Sequence, residues 1–456
     1  MKITLKKSVA MIASLFVSAA LFSACAKKDN NAEAAAGPTS GGKVLNIYCW
    51  NDEFRSRVES YYLPEHPLPE GVTINWIVTP NADMAYQTKL DQTLPGNASA
   101  SADDRVDIFL VEADYAAKYI NTKYALSLTE VGITNEELAD QYAYTKQIGS
   151  DSSGVIKGIS WQAAPNVFLY RRSIANKVLG TDDPTDIQLA VADWDMFEGT
   201  AAKMHEQGYQ MVSGYDDTFR AYSNNADKAI VENGIIEVPQ AWLDWADQTK
   251  LFSDSGYNSR TRLWDTAWGA GMGKDSTVFG YFGPAWFINF TLVDYSMADA
   301  EMGVVNGNGS IGDWAVTEGP APSYWGGTWI CAAEATDNID EIRDIMRVLC
   351  TDKSVMRRIA TDPGVEDYTN TVSGMKEVAQ SDYKSVTLGE QNPFPLYTAV
   401  ADRIDVSKTI SPYNQLAETY QGVMADYFSG AVTRETAIEN FYTAAREKYP
   451  ELKRNS

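Results

Sequence analysis

The feature that most restricts the fold is an alternation of strand-like and helix-like segments that begins at Val44. Val44-Leu45-Asn46-Ile47-Tyr48-Cys49-Trp50 is an apolar run of strand length. Asp52 to Tyr62 then carries Phe54, Val58 and Tyr61 at helical spacing. Val72 to Val78 reads as a second strand, Val106 to Val111 as a third, and a helical stretch surrounds Ala116. Strands alternating with helices indicate an α/β sheet with parallel elements.

The pattern continues with a strand over Gly158 to Arg172 that enters a new region through Pro165. A helix is expected from Asp193 to Gln207, ending near Gly208, with strands at Val278–Gly283 and Thr328–Ala333. The last third is mainly helical. Ile339, Ile342, Met346 and Leu349 share one helix face, as do Leu416, Tyr420, Val423, Met424 and Tyr427 ahead of Gly430. Thr134 with Glu137, and Thr433, have the chemistry of helix N-caps. No internal repeat or coiled coil is evident. A chain of 456 residues is long for one core and suggests at least two lobes.

Ahead of this body lies a different kind of segment. Lys2, Lys6 and Lys7 precede an apolar run from Val9 to Leu21, too short to span a bilayer comfortably, and Phe22-Ser23-Ala24-Cys25 places small residues before a cysteine. The stretch resembles a bacterial lipoprotein signal, which implies removal of residues 1–24, lipidation of Cys25 and an extracytoplasmic address. An ordinary cleaved secretory signal is the alternative. Residues 26–43 (AKKDNNAEAAAGPTSGGK) read as a flexible tether. No other apolar stretch approaches spanning length, so any anchorage is by lipid.

Charge and cysteine count exclude several classes. The net charge is −23, and loss of the signal lysines makes the remainder more acidic. Such a charge repels nucleic acid and anionic lipid, and is read as a solubility device. Cys49, Cys331 and Cys350 sit among apolar neighbours and cannot make a disulfide framework, although one pair could be bridged. His66 and His205 are the only histidines, which makes a zinc site or a His-based triad improbable. No cofactor or metal is expected.

Two glycine-rich stretches fail as motifs. Gly269-Ala270-Gly271-Met272-Gly273-Lys274 has Trp268 where a phosphate loop needs its first glycine, and Asp275 follows the lysine. Asn306-Gly307-Asn308-Gly309-Ser310 is followed by Ile311 where a calcium loop needs glycine, and no glutamate closes it. Both read as turns.

Aromatics are abundant, with 12 Trp and 25 Tyr. Many fall beside carboxylates at the expected carboxyl ends of strands, where open α/β sheets bind ligands. Trp50-Asn51-Asp52-Glu53 ends the first strand, Glu112-Ala113-Asp114-Tyr115 the third, and Tyr215-Asp216-Asp217 another region just before Phe219 and Arg220. Such an edge suits a sugar, whose C–H faces stack on indole while its hydroxyls bond carboxylates and amides. Asp52 and Asp114 serve equally well as helix N-caps. Trp76, Trp194, Trp242 and Trp245 fit core packing. Trp161, Trp286, Trp325 and Trp329 lie near Gly or Pro at strand–loop junctions and are read as a ligand platform, whereas Trp264 and Trp268, four apart on an expected helix, fit either role.

The order of these segments resembles the extracellular solute-binding proteins (family 1) of bacterial carbohydrate ABC importers, to which maltose-binding protein is related. Val44–Glu53 is similar to the family's first strand and ligand loop. Asp107-Ile108-Phe109, Tyr115 and Leu126-Ser127-Leu128 resemble its next segment, and Gly158–Arg172 its crossing strand, although Tyr170 is followed here by Arg171-Arg172. Phe279-Gly280-Tyr281-Phe282-Gly283-Pro284-Ala285-Trp286 looks like its Gly-x-Trp segment with a wider gap. Gly326-Gly327-Thr328-Trp329-Ile330, followed by Asn338, resembles its returning strand and helix.

The resemblance implies an α/β, two-lobe periplasmic-binding-protein-like fold (type II) with a ligand cleft between the lobes. Lobe 1 would take 44–162 and 326–392, and lobe 2 163–325 and 393–456, with crossings near 161–166, 320–328 and 390–400. Ligand contacts would come from Trp50, Asn51, Asp52, Glu112 and Asp114 in the first lobe and Asp217 and Trp286 in the second. Trp161, Gln162 and Trp325 would lie near the crossings. The implied partners are a carbohydrate and an ABC permease, the implied state is a monomer anchored through Cys25, and the chain would not be an enzyme. Two other readings stay open. Trp50-Asn51-Asp52-Glu53 also resembles the start of polyamine-binding proteins, and a surface glycoside hydrolase would need two carboxylates across the cleft, for which Asp217 and Glu112 are the candidates.

Overall fold

A computed structural model describes residues 37–455. Residues 1–36, including the signal segment and Cys25, lie outside the described residues. In chain order the first strands are β1 (Val44–Cys49), β2 (Thr73–Val78), β3 (Ile108–Glu112) and β4 (Gly158–Ser160), followed by β5 (Pro165–Arg171) and β6 (Gln210–Gly214). Then come β7 (Val231–Glu232), β8 (Ile235–Ile236), β9 (Asn258–Thr261) and β10 (Val278–Gly283). The last are β11 (Trp314–Thr317), β12 (Ser323–Tyr324), β13 (Thr328–Ala332) and β14 (Lys453–Arg454).

Two mixed sheets organise the molecule. The first has the order β2-β1-β3-β13-β4. β1 pairs parallel with β2 and β3, while β13 returns from far along the chain to run antiparallel to β3 and β4. The second sheet has the order β11-β5-β10-β6-β9, with β12 also pairing β5. Strands β5, β10 and β13 are buried at every position, as expected where both faces of a sheet are covered. A small third sheet, β14-β8-β7, lies with the C-terminal helices Leu416–Phe428 and Arg434–Lys448, whose apolar faces pack with Trp242 and Trp245.

The stretch Gly158 to Arg172, expected as one strand, is two strands in different sheets, broken where Ala164 takes φ +52°, and Arg172 already opens the next helix. The chain therefore passes from the first sheet to the second over 161–164 and returns over 325–327, between β12 and β13. A third passage follows the helix Val372–Ala379. By Thr387 the chain is bonded to the second sheet's side, where Gly312 N donates to Thr387 O and the Gln391 amide exchanges hydrogen bonds with the Val316 backbone.

Several local expectations change in the structure. The tether's end is not free. Gly42 N donates to Asp337 O at 2.8 Å, and Ser40 Oγ donates to the Asp340 carboxylate at 2.6 Å. Order thus begins before Val44, because residues 39–42 supply partners for the loop leading into the helix Ile339–Cys350. Thr134 and Glu137 make reciprocal capping bonds, but these close a turn instead of opening a helix. Asp193 and Thr433 do cap helices. Trp264 stands outside the short helix Thr266–Ala270 that holds Trp268. Cys49, Cys331 and Cys350 are free and buried, and burial pushes the Cys49 thiol up to about 12. No helix among the described residues is long and apolar enough to cross a membrane.

Candidate functional site

The carboxyl ends of β1, β3 and β6 and the first two crossings surround a cavity of about 990 Å³. Its size sits at the upper end of the range for small-molecule pockets, roughly 300–1,000 Å³. The first sheet contributes Trp50, Asn51 and Asp52 from the loop after β1, and Glu112, Asp114 and Tyr115 from the junction of β3 with the helix Ala113–Ile120. The second contributes Asp216, Asp217 and Arg220 after β6, and Trp286, Asn289 and Phe290 after β10. Trp325, Gly326 and Gly327 form the floor between them. Both glycines have positive φ, +69° and +99°, which allows the backbone to turn from β12 into β13 under the Trp286 ring.

An aromatic wall defines one side. The Trp286 and Trp325 rings meet edge to face with centroids 5.3 Å apart, and Trp286 Nε1 donates to the Trp325 carbonyl at 3.1 Å. Trp264 lies 5.6 Å from Trp325, and Phe290 completes the group 5.8 Å from Trp286. Trp50 faces the cavity from the other lobe, braced edge-on by Tyr86 and Tyr115.

The carboxylates are individually held. Asp114 accepts two hydrogen bonds from the Arg220 guanidinium, at 2.6 and 2.5 Å, and this ion pair joins the two sheets across the cleft. Glu112 caps its helix by accepting from Asp114 N at 2.8 Å; burial, reinforced by the Asp114 charge, holds its carboxyl well above the usual range. Asp217 accepts from Gly214 N and from Trp268 Nε1, each at 2.7 Å, and burial pushes it up to about 6 despite those bonds. Asp216 accepts from Arg262 Nε at 2.9 Å and from Leu263 N at 3.1 Å. At the first crossing, Gln162 Nε2 donates to both Glu53 Oε1 and Asp367 Oδ2 at 2.8 Å, beside Arg57. Burial raises Glu53 to about 7.

What the wall leaves open is polar. Asn81 Oδ1, Asn166 Oδ1, Asp216 Oδ1, the Tyr115 hydroxyl, Asn289 Nδ2 and Arg57 Nε are buried and have no hydrogen-bond partner within the protein, and all six residues line the cavity. Buried polar atoms are ordinarily satisfied, so a wall of open donors and acceptors is a surface prepared for a ligand or ordered water. Among the described residues no group of three or more His, Cys, Asp and Glu side chains could hold a metal ion.

Nine of the residues picked out from sequence lie on this cavity: Trp50, Asn51, Asp52, Glu112, Asp114, Gln162, Asp217, Trp286 and Trp325. Two do not. Trp161 is fully buried and stacks on Phe54 at 5.5 Å; Trp329 is 1% exposed, with Nε1 donating to Thr145 O. Both belong to the core of the first lobe, because their side chains point into the sheet's packed faces and not over its edge. Arg57, Asn166, Arg262, Asn289, Phe290, Glu418 and Gln421 also line the cavity, with no motif in the sequence to mark them. Only Arg220 and Glu53 could have been suspected, from their adjacency to the strand-end acids.

Two mixed sheets joined by crossing segments over such a cleft make the two-lobe α/β fold of periplasmic binding proteins. No family model and no curated protein matches the sequence. Solved structures do share the fold. An extracellular solute-binding protein of family 1 superposes with a TM-score of 0.72 at 16% identity, over 89% of this chain and 99% of that one. The ABC-transporter-associated binding protein of B. animalis subsp. lactis, in complex with β-1,6-galactobiose, gives 0.65 at 16% identity over 91% and 100%. The sugar-binding protein MalE of Xanthomonas citri gives 0.65 at 11% identity over 89% and 96%. The chain thus has the fold of the extracellular solute-binding proteins of ABC importers.

Proposed function

We propose that this chain captures a saccharide between its two lobes, closes over it and delivers it to an ABC permease, working outside the cytoplasm and held to the membrane through lipidated Cys25. The observation that carries the saccharide reading is the pairing of an indole wall, Trp286 and Trp325, with unpartnered buried donors and acceptors on the same cavity. Aromatic faces take the C–H surface of a sugar ring, and the open polar atoms take its hydroxyls. Trp50, Asn51, Asp52, Glu112 and Asp114 would bind from lobe 1, Asp217 and Trp286 from lobe 2, and Gln162 and Trp325 at the crossings. The sugar complexes and sugar-binding names among the similar structures support the same reading.

The chemistry would be binding alone. A hydrolase needs a free carboxylate facing a carboxylic acid, but both oxygens of Asp217 are engaged by Trp268 and Gly214. A polyamine would need ionised, unpaired carboxylates, whereas Asp114, Asp216 and Glu53 each face an arginine and burial raises Glu112, Asp217 and Glu418 toward their neutral forms.

A thermal-shift panel of mono- and oligosaccharides, polyamines and amino acids tests the proposal, since a ligand that binds only the folded state raises Tm. At least one saccharide is expected to raise Tm. Trp286→Ala should remove that shift while the apo protein stays folded. A clear shift with spermidine and none with any sugar would overturn the reading, and turnover of an aryl-glycoside would replace it with the hydrolase.

A further inference from the structure

We infer that the cargo is an oligosaccharide longer than two units, whose outer units leave the cavity across Trp264 and Phe290; this rests on the saccharide reading above. Trp264 is 50% exposed and Phe290 58%, the largest exposures among the aromatics of the cleft. Their rings meet edge to face at 6.3 Å and continue the wall begun by Trp286 and Trp325. An apolar surface contiguous with a binding cavity, and left open to water, is the form of an interaction site.

Both rings are put there by departures from regular backbone. Trp264 takes φ +70°, a region that bulky residues rarely adopt and that persists only where surroundings enforce it. Here the enforcement is visible. The Asp216 carboxylate accepts from both Arg262 Nε and Leu263 N and so pins the preceding residues. The Trp268 and Trp325 rings, at 5.4 and 5.6 Å, brace the indole. Phe290 sits on a π-helical turn, Ile288–Leu292, set between the helical turns Ala285–Phe287 and Val293–Ser296. Such turns insert a residue and re-aim side chains, and recur at functional sites. Asn289, the neighbouring residue on that turn, carries the unpartnered buried Nδ2 on the cavity wall. The same turn therefore serves the inside of the cavity with an amide and its mouth with a ring. A mono- or disaccharide held against Trp286 and Trp325 would leave much of the surface of this outer pair in water.

Titration calorimetry with di-, tetra- and hexasaccharides of α-1,4-glucan, β-1,4-xylan, β-1,4-mannan and β-1,4-galactan tests the inference. In the series that binds, tetrasaccharide is expected to bind about tenfold or more tighter than disaccharide, the increment of one good stacking contact. Trp264→Ala should shrink that ratio toward one, and Phe290→Ala should reduce it in part. Both side chains are exposed, so an unchanged apo Tm serves as the folding control. A disaccharide bound as tightly as its longer homologues, or a ratio that survives both substitutions, would overturn the inference and leave saccharide capture standing. Absence of binding across all four series, with no shift in the wider sugar panel, would defeat both.

Discussion

Burial sets the charge of Glu366. The side chain is 4% exposed, one of its oxygens has no partner, and burial pushes its carboxyl from 4.5 up to about 7 against hydrogen bonds from Ser385 and Tyr383 that favour the anion. Glu53 is raised similarly to about 7, and Asp107 and Asp217 to about 6. A carboxyl whose pKa is higher in the fold than in the open chain favours the fold in its neutral form. Its contribution is complete below the unfolded pKa and is lost as pH rises through the folded one. The free protein is therefore expected to lose stability between pH 5 and pH 8. In Glu366→Gln that loss should be smaller, with the difference from the wild type moving on the order of 1–3 kcal/mol in the variant's favour over that interval. Urea denaturation at the two pH values measures this. Stability that rises with pH, or an unchanged slope in the variant, contradicts the assignment.

Among the elements, the crossings are linked to one another through a single side chain. Gln162 joins two of them, because its amide N–H groups reach Glu53 and Asp367 while its oxygen accepts from Thr328 N at 3.1 Å. Gln162→Ala removes all three bonds and leaves two raised-pKa carboxyls facing each other, at a cost of about 2–4 kcal/mol in the denaturation free energy. A loss under 1 kcal/mol would mean that water replaces the amide. The elements themselves were legible in sequence where a run was apolar on both faces, as in β1, β3 and β10, because such runs have nowhere to go but a covered sheet. The site was legible where strand ends carried acids and indoles in sequence order. What could not be read was direction. Trp161 and Trp329 flank glycine or a crossing just as Trp286 and Trp325 do, yet which face of a strand a side chain takes depends on pairing with strands distant in the chain. The Arg220 partner of Asp114, 106 residues away, is a product of the same long-range assembly.

At the scale of the whole molecule, that ion pair ties one lobe to the other. Each partner is mostly shielded, with side chains 17% and 11% exposed, so neither can be left alone cheaply while the cleft is shut. In Arg220→Gln the lobes should part instead of the chain unfolding. Small-angle scattering should show a larger radius of gyration for the unliganded variant than for the wild type and, on the proposed saccharide reading, a shared, smaller value at saturating ligand. An unliganded variant as compact as the wild type would remove the pair from the closing equilibrium.

The cleft indoles have one more consequence. Trp161, Trp245, Trp268, Trp314 and Trp329 are sealed from water whatever the cleft holds, whereas Trp50, Trp264 and Trp286 are not. On the proposed reading, ultraviolet emission from the sealed set would be a steady background, and the open set would change solvent when a saccharide enters. The cleft itself would then carry an optical reporter of occupancy, with no attached dye needed to time capture and release.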